Sequence, residues 1–190
     1  MNNGYTLKDT STATGATKEI FDLASKTFGG RVPNIVNAFS ESPVLAQSML
    51  ALYAKIGETG FTPTESHVVM QTANVLNECQ YCVPAHSTGA RAGGVDVSID
   101  EALRNSQSLE DPKLEALRLF TTNVIANRAH LSTNEFDAFI SAGWTRKQAL
   151  DVIFLVTVKT LTNYGNHIAG PELDEVFEPL EWTPTSVAAV

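Results

Sequence analysis

Apolar residues recur along this chain at intervals of three and four, and no segment alternates strictly apolar with polar. Ile20, Phe21, Leu23, Ala24 and Phe28 share one face of a predicted helix that a glycine pair ends. The stretch VPNIVNAFSESPVLAQSMLALYAKIGETG reads as two helices. Pro33 and Pro43 each fit a first turn, and Ser42 fits the N-cap of the second. Thr62, Pro63 and Glu65 open the next helix as cap, first residue and first-turn acid. A further helix is predicted from about Cys82 to Arg91, stopped by Gly93 and Gly94, and SIDEALRNS makes a short one. Asp111 and Pro112 open DPKLEALRLFTTNVIANRAH, whose broad apolar face holds Leu114, Leu117, Leu119, Phe120, Val124 and Ile125. Ser132 with Glu135 three residues on has the form of a capping box. Thr145 caps the last helix. Its run VIFLVTV is apolar all round, as in a buried strand, but its length and the Lys-Gln-Ala-Leu entry favour a central helix. No Asn-Gly turn sits between apolar runs, and the expected fold class is all-α.

Polar stretches bound this helical series. Residues 1–17 are rich in Thr, Gly, Asn and Ser and read as a mobile arm, 18–180 as a single helical domain, and 181–190 as a flexible tail. An internal echo runs through the domain. TPTESHVVMQTANVLNECQYCVPAH and WTRKQALDVIFLVTVKTLTNYGNH each pass from a capped turn through a long apolar helix to a histidine, as an old pseudo-repeat would. Hydrophobic residues make up 43% and charged ones 18%, a globular balance. The net charge of −8 argues against nucleic acid and anionic membrane as partners, both of which need clustered Lys and Arg. No run of about 18 apolar residues exists to span a bilayer. The polar start lacks the layout of a signal peptide, so the expected location is cytoplasmic, where thiols are kept reduced.

That location gives weight to NECQYCVPAH, which holds both cysteines of the chain, Cys79 and Cys82, with His86 four residues on. An interval of three lets two sulfurs approach across about one helical turn, and an interval of four stacks the imidazole over the second thiol. A free thiol is only ~3% ionised at pH 7. Pro84 suits a first turn, which would set Cys82 near the positive end of the helix dipole. His86 could take the thiol proton and stand as imidazolium beside the sulfur. Three uses compete here: a redox pair, a zinc site of Cys79, Cys82, His86 and His67, and two inert core fillers. A c-type haem attachment is excluded, because Val83 follows the second cysteine. Asn166 and His167 are candidates to line the same pocket from the far half of the echo. His130 reads as a helix C-terminal partner, and Phe120, Phe136, Phe139 and Phe154 read as packing. No cofactor is expected, since RAGGV lacks the spacing and preceding strand of a dinucleotide site.

The stretch LNECQYCVPAHSTGARAGG resembles the core of the AhpD-like, or carboxymuconolactone decarboxylase, superfamily in its peroxidase-related branch. The similarity extends over roughly residues 30–180 and includes LTNYGNHIAGPELDE. The resemblance implies a multi-helix bundle that forms homo-oligomers. It also implies thiol-dependent reduction of a small hydroperoxide, or dithiol-disulfide exchange, with an external dithiol as reductant. On that resemblance Cys82 is the attacking thiolate, Cys79 the resolving partner and His86 part of a proton relay. Two positions depart from the family pattern. His67 stands twelve residues before Cys79 where the family often has glutamate, with Glu65 nearby, and Tyr81 stands where the better-studied peroxidases have histidine. His67 is therefore the candidate to take over the glutamate's task. The alternatives are a decarboxylase-branch lyase and a non-catalytic zinc-binding helical oligomer.

Overall fold

The computed structural model describes residues 3–184, and among these it holds nine α-helices and no strand. They are α1 (Gly15–Thr27), α2 (Asn34–Phe39), α3 (Pro43–Ala54), α4 (Pro63–Leu76), α5 (Cys82–Ala92), α6 (Val97–Arg104), α7 (Pro112–Ala126), α8 (Thr133–Ser141) and α9 (Arg146–Ala169). The all-α expectation holds. Short 3-10 turns lie at Ile56–Glu58 and Glu178–Leu180.

Local chemistry sets most helix starts. Ser42 accepts the Leu45 N–H, and Asp111 accepts those of Lys113 and Leu114. Thr62 with Glu65, Ser132 with Glu135, and Thr145 with Gln148 close reciprocal capping boxes. Two boundaries differ from the sequence reading. Pro33 is the N-cap of α2 instead of a first-turn residue. Helix α7 stops at Ala126, because Arg128 and Ala129 take left-handed φ values of 52° and 62° and turn the chain before His130.

Helix α4 is the hub and packs against α5, α6, α7 and α9. Two apolar clusters flank it. One joins Ile20, Phe21, Val36, Phe39, Met49 and Leu50 of the first three helices to Cys79, Tyr81 and Cys82. The other gathers Val68, Val69, Leu117, Phe120, Phe139 and Leu155, with the Phe120 and Phe139 rings stacked at 3.9 Å. Helix α9 is not apolar all round. Val152, Leu155 and Val158 are buried, Leu150 and Ile153 face outward, and a buried polar stripe of Lys159, Asn163 and Asn166 follows. Gly165 lets α9 approach α2, since a Cβ there would overlap the Phe39 ring.

The residues expected to form a terminal arm and tail touch the body where they are described. Asn3 donates to the Ile168 carbonyl at 2.6 Å, and the Lys8 N–H donates to Asn37 at 2.8 Å. Helix α1 begins at Gly15, inside the stretch read as an arm. Trp182 is buried, and its indole N–H donates to the Arg104 carbonyl at 2.9 Å. Residues 1–2 of the arm and 185–190 of the tail lie outside the described residues.

Candidate active site

The two cysteines are set by a turn between α4 and α5. After α4 ends, Glu78 takes a left-handed φ of 51°, and the N–H groups of Glu78 and Cys79 return to the carbonyls of Val75 and Asn74. The chain is thereby reversed within four residues, and Cys82 becomes the first residue of α5. Its N–H donates to Cys79 Sγ at 3.3 Å, which ties the two residues together across the turn. Pro84 occupies the first turn of α5, where its missing N–H leaves no hydrogen bond unmade. Cys82 thus stands at the positive end of a helix dipole, as its spacing from Pro84 predicts.

Cys82 lines a cavity of about 630 Å³, whereas Cys79 lies behind it and does not. Phe28, Met49, Met70, Tyr81 and Phe177 supply apolar and aromatic wall, and Tyr53, His67, His86 and Lys159 supply polar groups. Both thiols are free. They differ in acidity. Burial, and then the Cys82 sulfur, push the Cys79 thiol far up, so it keeps its proton. Burial also opposes ionisation of Cys82, but the Cys79 hydrogen bond, the Lys159 ammonium and the Asn163 amide together bring it down to about 7.

His86 and His67 reach this cavity by different routes. His86 Nε2 receives the Lys159 ammonium at 2.8 Å and lies 3.4 Å from Tyr53 Oη. It makes no hydrogen bond to Cys82. Burial, then Lys159, then His67 hold its pKa well below 6.5, so it is neutral and not the imidazolium partner that the sequence spacing suggested. The helical interval brings the ring to the cavity, but a cation from another helix takes its acceptor nitrogen. His67 is buried, and its Nε2 lies 3.0 Å from Asp100 Oδ1. Asp100, fully buried, also accepts from Gln71, Ser87 and Arg91. Burial works against the Asp100 carboxylate, yet hydrogen bonds from His67, Arg91 and Ser87 hold its pKa at about 2. Glu65, the other candidate for a relay carboxylate, is spent on the capping box of α4.

The sequence reading missed the polar seam that joins these groups. Asn77 donates to Asn163, Asn163 to Asn74, and Asn74 to Gln71, each between 2.9 and 3.0 Å. Neither Asn166 nor His167 lines the cavity: Asn166 Nδ2 lies 3.5 Å from Cys79 Sγ behind it, and His167 is exposed and stacks on Tyr164. A signal was present. His67, Gln71 and Asn74, like Lys159, Asn163 and Asn166, fall at helical intervals of four and three inside otherwise apolar runs. Tyr81, expected to pack, does so against Phe177, and its hydroxyl donates to Asp174. Among the described residues no group of three or more His, Cys, Asp or Glu side chains is gathered to hold a metal ion. The zinc set proposed from spacing is therefore not assembled.

With this geometry in view, the carboxymuconolactone decarboxylase family pattern matches residues 43–122, the stretch from α3 through most of α7 that carries both cysteines, His67 and His86. Over that stretch the chain is similar to the carboxymuconolactone decarboxylase family, and its fold is AhpD-like. The AhpD-like fold is shared with solved structures over nearly the whole length. An AhpD-core, peroxidase-related protein from Ralstonia eutropha JMP134 superposes with a TM-score of 0.78 at 18% identity, covering 91% of this chain and 93% of its own. A peroxidase-related protein from Silicibacter sp. TM1040 gives 0.75 at 18% identity, covering 93% and 95%. The debrominase Bmp8 gives 0.74 at 20% identity, covering 94% and 96%, and a Cys→Ala variant of it is known in complex with 2,3,4-tribromopyrrole. No curated protein matches the chain in sequence.

Proposed function

We propose that this AhpD-like chain is a thiol-dependent peroxidase or dithiol-disulfide oxidoreductase, with Cys82 as nucleophile and Cys79 as resolving thiol. The observation that carries the reading is the asymmetry of the pair: Cys82 faces the cavity with a lowered pKa, and Cys79 sits behind it as a protonated thiol. In the proposed cycle, the Cys82 thiolate attacks the outer oxygen of a hydroperoxide. The O–O bond breaks, sulfenic acid forms, and the alkoxide leaves and takes up a proton. The Cys79 thiol then condenses with the sulfenic acid, forming the disulfide and releasing water. An external dithiol restores both thiols by exchange and is itself oxidised. His67, oriented by Asp100, and His86, which accepts from Lys159, serve as the polar relay along the cavity. The family resemblance makes a homo-oligomer the expected assembly.

Mass spectrometry after one equivalent of an alkyl hydroperoxide tests the cycle. The expected product is a chain lighter by two hydrogens, with the loss localised to the peptide bearing Cys79 and Cys82. Recovery of two alkylatable thiols and an unchanged mass would refute it. Full turnover of a lactone by a Cys79→Ser, Cys82→Ser double variant would instead favour the lyase alternative.

The size and aromatic wall of the cavity favour a second electrophile for the same pair. A halogenated aromatic ring could lose its halogen as halide, with a proton replacing it on the ring, while the two thiols become a disulfide. Release of bromide from a bromopyrrole, stoichiometric with disulfide, would support that reading, and its absence beside active peroxide turnover would discard it.

A further inference from the structure

Lys159 is the least expected side chain in the molecule. It lies on α9, the longest helix among the described residues, is 1% exposed, and forms no ion pair with any carboxylate among those residues. A lysine is almost never fully buried unless an anion compensates it. Its ammonium has two hydrogen-bond partners: Tyr53 Oη at 3.3 Å and His86 Nε2 at 2.8 Å. His86 is neutral, and the Tyr53 ring adds a face at 5.9 Å from the nitrogen. These groups hold the ammonium in place, and neither is a carboxylate.

The same cavity wall carries Cys82. The titratable groups that share this cavity with Cys82 are Tyr81 and His86, Tyr53 from α3, His67 from α4 and Lys159 from α9, and Cys79 accepts the Cys82 N–H from behind it. Arg31 lines the exposed end of the cavity, and Asp174 is already engaged by Tyr81 and by the Asn34 N–H. We infer that Lys159 is the built-in counter-ion of the Cys82 thiolate, held by Tyr53 and His86, and that it sets the redox poise of the cysteine pair. The two charges complete each other only in the reduced state. Closing the disulfide removes the anion and leaves a buried ammonium alone, which raises the free energy of the oxidised form. The Cys79–Cys82 disulfide is therefore an oxidising one, easily reduced by a dithiol, because its reduced form is selectively stabilised. Reduction delivers two electrons and two protons. One proton stays on Cys79, and the other is released to solvent in the fraction of molecules where Cys82 is thiolate.

This inference deepens the thiol-redox reading, but its test needs no peroxide turnover. Lys159→Met keeps the volume and removes the charge, Lys159→Gln keeps donors to Tyr53 and His86 without the charge, and Lys159→Arg keeps a charge. Two quantities are read in each: the pH midpoint of Cys82 alkylation, and the equilibrium between the disulfide and a dithiothreitol couple. Circular dichroism confirms folding. In the neutral variants the alkylation midpoint is expected to rise by about one unit or more, a tenfold loss of thiolate below it. The disulfide is expected to become at least tenfold harder to reduce, about 30 mV. The arginine variant is expected to fall between these and the wild type. An unshifted midpoint and equilibrium in a folded Met or Gln variant would overturn the assignment. A chain that shows these shifts yet ignores peroxides would keep Lys159 as counter-ion while sinking the peroxidase reading.

Discussion

At Asp100, five side chains converge on one buried carboxylate or its neighbours. It accepts from His67, Gln71, Ser87 and Arg91, while Arg104 donates to Ser87. Removing it leaves His67, Gln71 and Ser87 short of a buried acceptor and Arg91 with Glu101 as its remaining carboxylate. Asp100→Ala is expected to lower stability by about 3 kcal/mol in chemical denaturation, as for a broken buried ion pair. Its folded pKa is held down at about 2, so its share of stability is complete above the ordinary carboxylate range. That share is lost as pH falls through about 2. His86 acts higher on the scale. Its folded pKa lies well below 6.5, so below that pH the unfolded chain binds a proton that the folded chain refuses. Stability should therefore fall as pH drops below about 6.5, and a His86→Gln variant should lack that part of the slope in denaturant titrations from pH 7 to pH 5.

Helices carry their own instructions at their starts. Thr62 closes a capping box that places α4, and α4 carries His67 and ends at the cysteine turn. Thr62→Ala is expected to cost about 1 kcal/mol, read as a lower denaturation midpoint. The caps of α3, α4, α7, α8 and α9 were legible because they need only residues within one turn. The end of α7 was not, since left-handed Arg128 and Ala129 carry none of the glycine that usually marks such a turn. Helix α9 shows how tertiary contact overrides composition. Gly165, a poor helix former, sits where α2 comes so close that only a hydrogen fits against Phe39. Gly165→Ala should raise helix propensity and still destabilise the protein, by about 1–3 kcal/mol through overpacking. An increase in stability would show that Phe39 has room to turn away.

The molecule as a whole is a pair of apolar clusters with a polar seam between them, and α4 and α9 supply both sides of that seam. Cys82, His67, His86 and Lys159 meet in the cavity beside this seam. No helix among the described residues is long and apolar enough to cross a membrane. Leu150, Ile153, Tyr164 and Ile168 leave an outward apolar stripe on α9. Sedimentation of the purified chain is expected to show the homo-oligomer that the family resemblance implies, and a monomer at all concentrations would remove that expectation.

The amino-acid sequence by itself determined the helices, most of their caps, and the Cys79–Cys82–His86 window, because each depends on neighbours no more than four residues away. Only the tertiary structure decided what those residues meet. His86 faces Lys159, which lies 73 positions further along the chain, and not the thiol one turn before it. His67 is claimed by Asp100, 33 positions on. Helical periodicity states which face a side chain occupies. Burial and charge pairing between helices state what that face is used for, and a lysine inside an apolar helix has no defined role until its anion is brought to it.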